Sequence, residues 1–200
     1  MGLKLTILSW WTPKWVISRE LDHVSQVTTA ALRSLLASYA LEKRSGVIDG
    51  SQQSKTLEQK RTDMAKQHVA LVEALASALG REKALELGRE ALFEVGKNLG
   101  IESRAKLGVG NNPKDLIKAA KILYRVLGID FVVETSENTR ATLVVSRCAL
   151  SQQYSEFTCR ILSATDEGVV KGLEPYASMA FKEVLTSGCG NCRAQIEFAG

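Results

Sequence analysis

The sequence predicts an α+β fold in which an N-terminal helical layer packs with a C-terminal antiparallel sheet and short helices. Three observations carry this. Apolar residues recur at helical spacing from Asp22 to Leu127, and after Gly128 the pattern changes to runs dense in β-branched residues. The first two of those runs are joined by Ser136-Glu137-Asn138, a hairpin-like connection. The 200 residues read as a single domain, 1–200, whose 1–128 part is mainly helical and whose 129–200 part is β-rich and carries all four cysteines.

The first helix spans Asp22 to Lys43, with Val24, Val27, Ala31, Leu35 and Tyr39 as its stripe and Leu32 and Leu36 widening it. Small polar residues from Gly46 to Ser54 mark a loop. A second helix follows through Leu57, Met64, His68, Leu71, Leu75 and Leu79, with Gly80 as its cap. The third, about Glu82 to Leu99, is expected to bury Leu85, Gly88, Leu92 and Val95 and to end at Gly100, followed by a loop to Asn112. Asn112 and Pro113 are the N-cap and first turn of a fourth helix with Leu116, Ala120, Leu123 and Leu127 on its apolar face. Strands follow at Ile129–Thr135 and Thr139–Ser146. Gln152 to Leu162 reads as a short helix, and Asp166 caps another through Val170. Met179 to Leu185 alternates apolar with charged residues, and Ala194, Ile196 and Phe198 form the last strand opposite it.

Charge and composition narrow the function. There are 26 basic and 22 acidic side chains, and the excess is N-terminal. From Cys148 onward Arg160, Lys171, Lys182 and Arg193 face Glu156, Asp166, Glu167, Glu174, Glu183 and Glu197. Basic residues occur as pairs such as Lys43-Arg44 and Lys60-Arg61, without interleaved aromatics, so no nucleic-acid partner is expected. Helix three, helix four and the hairpin have the order of a winged helix-turn-helix, but the expected loop from Ile101 to Asn112 is too long for that motif. No run approaches the roughly 18 apolar residues of a membrane span. The opening segment is broken by Thr6, Ser9 and Pro13 and is read as structure rather than a secretory signal, which gives a cytoplasmic protein with no membrane partner. Trp10, Trp11 and Trp15 are read as packing residues closing the helical layer rather than as a membrane belt; a homodimer face over them and the long helices is a further reading.

The cysteines follow the pattern Cys148-x10-Cys159-x29-Cys189-x2-Cys192. Cys189-Gly-Asn-Cys192 in a hairpin turn, with Gly190 allowing the tight bend, is knuckle-like, and four thiolates suit tetrahedral zinc or an iron–sulfur cluster. The plainer reading makes Cys148 and Cys159 buried apolar residues and Cys189 and Cys192 an exposed dithiol. Asp166 and Glu174 are candidate catalytic carboxylates that could orient water beside such a metal; their plainer reading is an N-cap and a solvated turn. His23 and His68 lie within helical patterns, without a second His at useful spacing, and read as helix residues rather than ligands.

The stretches Val144-Val-Ser-Arg-Cys148-Ala, Asp166-Glu-Gly-Val-Val-Lys-Gly-Leu-Glu-Pro175 and Thr186-Ser-Gly-Cys-Gly-Asn-Cys192-Arg-Ala-Gln-Ile resemble the C-terminal half of the L-2-amino-thiazoline-4-carboxylic acid hydrolase-like family. They are more distantly similar to 4-vinyl reductase-like binding domains. The resemblance implies helices packed on an antiparallel sheet, a ligand pocket between them, and hydrolytic opening of a cyclic thiazoline to an N-carbamoyl-cysteine type product. It carries Cys148, Asp166 and Cys192 over as site residues. Cys189 departs from the pattern, where an Asp is expected, which exchanges an oxygen donor for a thiol and favours a soft metal. The expected function is therefore a hydrolase-like enzyme acting on a heterocyclic or thio-substituted acid with a cysteine-ligated metal. The alternative is a non-catalytic small-molecule sensor with a structural four-cysteine site.

Overall fold

Backbone capping fixes the helical layer. The computed structural model describes residues 3–39, 55–110, 112–137 and 140–198, so the Gly46–Ser54 loop and the expected helix end at Lys43 lie outside the described residues. Helix α1 is Leu3–Trp10, α2 Lys14–Ser38, α3 Leu57–Leu79, α4 Arg81–Leu107, α5 Pro113–Leu127 and α6 Glu156–Leu173. Thr56 opens α3 with a capping box: its hydroxyl accepts the Gln59 N–H at 3.2 Å, and the Gln59 side chain accepts the Thr56 N–H at 2.8 Å. Asn112 caps α5 through the Asp115 N–H at 3.0 Å, with Pro113 in its first turn and Gly128 ending it in the left-handed region.

The sheet is built from β1 (Ile129–Glu137), β2 (Arg140–Cys148), β3 (Ala177–Glu183) and β4 (Cys192–Phe198), in the order β1-β2-β4-β3 with every neighbouring pair antiparallel. Ala141, Leu143, Val145, Met179, Ala194 and Ile196 form its buried core with Tyr124 of α5 and Val170 of α6. The fold is the expected α+β.

Four readings change. Helix α2 begins at Lys14, a full two turns before Asp22, because Ile17 and Leu21 continue the buried seam through Thr28 and Leu32. Helix α4 does not stop at Gly100. Gly96 and Gly100 face Gly168 and Gly172 of α6 so closely that a Cβ on Gly96 would stand 2.0 Å from the Thr165 carbonyl oxygen, and one on Gly168 would stand 2.1 Å from that of Phe93. These glycines mark backbone-to-backbone contact, which outweighs the roughly 1 kcal/mol each costs a helix relative to Ala. The two short helices expected around Asp166 are one helix, α6, capped by Ser155 at the Thr158 N–H; Asp166 lies within it and Glu174 follows its end. The bend before β4 uses Gly188 at φ +87, not Gly190.

The tryptophans also differ from expectation. Trp10, Trp11 and Trp15 are 91%, 65% and 66% exposed. α1 buries its other side, Leu5 and Leu8, against Leu116, Ile122 and Leu173, while Arg125 donates to the Leu8 carbonyl, the Ser9 carbonyl and the Thr12 hydroxyl at 3.1, 2.8 and 3.0 Å. The α4–α5 connection shortens to residues 108–112, which removes the loop-length objection to a helix-turn-helix; α5 is instead covered by α1, α2 and β1. No described helix is long and apolar enough to cross a membrane.

Candidate functional site

With one face of α6 sealed against α4, its opposite face, Cys159, Leu162, Asp166 and Val170, turns toward α5 and the sheet at helical spacing. The layers do not close completely there. Two adjoining cavities of about 100 and 90 Å³ remain, and Val24, Tyr124, Leu127, Thr165 and Asp166 line both. The first is walled by leucines and by Val133, Met179 and Ile196, with Glu20, His23, Glu102 and Lys106 at one end. Lys106, the one cation among its lining residues, lies 3.2 Å from Glu102.

Asp166 stands on the wall common to both. Its side chain keeps some surface, yet electrostatically it is enclosed, because that surface faces the cavities rather than bulk water. Desolvation, helped by the charge of Glu167 and opposed by the neighbouring Tyr124 hydroxyl, raises its carboxyl to about 7. Burial and the neighbouring Asp166 charge push the Tyr124 phenol well above its ordinary range, so it stays a donor. The Tyr124 ring is set edge-on against Phe131 of β1, centroids 5.0 Å apart.

The second cavity carries a buried polar chain. Tyr154 Oη lies 2.7 Å from His68 Nδ1, and His68 Nε2 lies 2.8 Å from the Thr28 hydroxyl, which itself donates to the Val24 carbonyl at 2.7 Å. Since Thr28 gives its proton to Val24, it accepts from Nε2–H, and Nδ1 then accepts from Tyr154. Burial lowers His68 to about 4, so the ring is neutral and fixed in that tautomer.

Residues 60–196 match the family model of L-2-amino-thiazoline-4-carboxylic acid hydrolase, from within α3 to the last strand. The chain belongs to this family. No curated protein matches it by sequence. Among solved structures it is similar to a trafficking protein particle complex subunit 3 from Naegleria fowleri covalently bound to palmitic acid, at 16% identity and TM-score 0.54, over 70% of this chain and 95% of that one. It is also similar to the phenol-responsive sensory domain of the transcription activator PoxR, bound to phenol, at 16% identity and TM-score 0.54, over 84% and 90%. These likenesses concern the fold.

Within this hydrolase-family fold, three of the four cysteines gather at the second cavity: Cys148 at the end of β2, Cys159 on α6 and Cys192 at the start of β4. Burial raises all three thiols, Cys159 to about 11, so they are protonated at neutral pH. Cys192 Sγ accepts the Leu185 N–H at 3.2 Å. Cys189 is not part of that lining. It lies 3.4 Å from the Ser187 hydroxyl, in a separate groove with Arg89, Arg160 and Glu167. Among the described residues no group of three or more His, Cys, Asp or Glu side chains is placed to hold a metal ion. Glu174 lies eight residues beyond Asp166 in sequence, just past the end of α6. It pairs with Arg104 at 3.7 Å and lines neither cavity. The structure thus brings together Asp166, Cys148, Cys159 and Cys192, and leaves out Glu174 and Cys189. Tyr124, Tyr154, His68 and Thr28 join the site without a sequence signal, because each is an ordinary residue of a helix or loop until the layers assemble.

Proposed function

We propose that the chain is a hydrolase-family small-molecule domain that takes a single-ring molecule into the paired cavities, with Asp166 and Tyr124 as its polar anchor. The supporting observation is the placement of this carboxyl–phenol pair on the wall shared by two largely apolar spaces. Size agrees, since the two neighbouring spaces of about 100 and 90 Å³, which share Asp166 in their linings, are together on the scale of the roughly 150 Å³ apolar cavity that accommodates benzene. A carboxyl near 7 is divided between its two forms at neutral pH, so it can accept from a ligand N–H or O–H when ionised and donate when protonated. Phenol, which the similar sensory domain binds, has this chemistry.

Hydrolysis of a C–N or C–S bond in a heterocyclic acid is the second reading. It is favoured by family membership and by an acid–base group poised at working pH. In that reading Asp166 moves a proton between water and the ring, and Tyr124 orients it. Calorimetric titration with phenol and with L-2-amino-thiazoline-4-carboxylate, and chromatography of the latter for ring opening, test both. Phenol binding that Asp166→Asn weakens, without turnover, supports the binding domain. Ring opening abolished by Asp166→Asn supports the enzyme. Binding or turnover unaffected by Asp166→Asn overturns the site.

A further inference from the structure

We infer that the outer side of α1 and the start of α2 form a docking surface for an anionic lipid bilayer. Four large apolar side chains, Ile7, Trp10, Trp11 and Trp15, are 53%, 91%, 65% and 66% exposed within nine residues of chain. This is no frayed end. α1 is seated by Leu5, which is 1% exposed, and its C-terminal carbonyls are held by the Arg125 guanidinium, so the indoles are presented outward from a fixed support. Exposed apolar side chains concentrated in this way mark interaction sites.

Its chemistry selects the occupant. Over residues 1–19 the chain has Lys4, Lys14 and Arg19 and no Asp or Glu. Arg19, which pairs with Glu20 at 3.0 Å, lies over the Trp15 ring at 5.6 Å from its centroid, and Lys118 of α5, 3.8 Å from Asp115, reaches the Thr6 hydroxyl at 3.1 Å, so Lys4 and Lys14 supply most of the patch's positive charge. Indoles with an apolar body and one N–H donor prefer the headgroup–acyl boundary, and nearby Lys and Arg side chains add attraction to an anionic surface. A second copy of this chain is the poorer fit. A twofold contact pairs a patch with itself, which would set these cations against their own counterparts. An anionic bilayer satisfies both the indoles and the cations.

The test is co-sedimentation of the full chain with phosphatidylcholine vesicles, with and without phosphatidylserine, read together with tryptophan emission. The expected result is binding to the phosphatidylserine vesicles, a blue-shifted emission, weakening with added salt, and a loss of about tenfold in affinity in Trp10→Ala/Trp11→Ala/Trp15→Ala. Should the triple variant lose its helical circular dichroism, Trp10→Ala alone carries the comparison, since that ring is almost fully exposed. No partition into either vesicle overturns the inference, as does partition that the variants leave unchanged. A concentration-dependent dimer in sedimentation velocity, dissolved by the same substitutions, overturns it in favour of a second copy.

Discussion

The two faces of α6 are packed in opposite ways. Against α4 the contact is between backbones, with glycines at 96, 100, 168 and 172 where any side chain would collide. Against α5 and the sheet the same helix leaves open space and puts a carboxyl and a thiol into it. Close packing on one side anchors the helix while the other side can hold poorly solvated polar groups. A buried Asp near 7 is a standing cost to stability, and a helix fixed elsewhere tolerates it.

The largest break in this contrast is Gly168→Val. Its Cβ would meet the Phe93 carbonyl oxygen at 2.1 Å, and backbone cannot yield as a side chain does. Urea unfolding is expected to report a loss of about 3 kcal/mol or more. Gly88→Ala is the control: there the nearest atom is the Ile161 Cγ2 methyl at 3.0 Å, a side chain rather than backbone, which must give by a few tenths of an ångström, and the gain in helix propensity offsets the crowding to within about 1 kcal/mol.

Next in size is a pair of opposed pH effects. His68 is lowered from 6.5 to about 4, so its contribution to stability is complete above 6.5 and is lost as the pH falls through 4. Asp166 is raised from 3.8 to about 7, so its contribution is complete below 3.8 and is lost as the pH rises through 7. By linkage they amount to about 3 kcal/mol for His68 and about 4 kcal/mol for Asp166, and between pH 4 and 6.5 they run in opposite directions. Wild-type stability is therefore expected to be nearly flat over that range. Asp166→Asn should make it rise with pH and His68→Gln should make it fall, by urea midpoints at fixed pH. Parallel slopes in the two variants would contradict the site's electrostatics.

Much of this contrast is invisible along the chain, and the reason is physical. The Gly80 cap, the Asn112-Pro113 start and the change of period after Gly128 are local devices, and each predicts its element boundary in the structure. Gly100 reads as a helix stop because glycine is costly in a helix; only the presence of α6 reverses that sign. Asp166 reads as a cap for the same kind of reason, since a carboxyl in mid-helix has no local benefit. The Trp10-Trp11-Trp15 segment reads as core because large apolar residues are usually buried. The cysteine spacing shows that thiols are abundant in the β-rich part but not which of them meet: the register sets Cys192 opposite Val145 and Cys148 opposite Ile129, whereas Cys189 sits in the turn beyond the sheet.

The smallest effect sharpens that last distinction. Cys189 is expected to be the fast thiol toward a soluble disulfide reagent, with Cys148, Cys159 and Cys192 slow because burial raises their thiols. Peptide mapping after brief labelling checks this, and stoichiometric zinc or iron with sulfide in the same preparation would show instead that Cys189 joins the other three around a metal.

Leu116, Leu123, Val169, Leu173 and Phe198 line the first cavity on one side and belong on the other to the cluster that seats Leu5 and Leu8 of α1. The arm carrying the tryptophans and the chamber holding Asp166 therefore share a partition one side chain thick. A molecule that shifts this partition on entering alters the seating of α1, and by reciprocity whatever engages α1 alters the affinity of the chamber by the same factor. Inside and outside of this small protein are two readings of one wall.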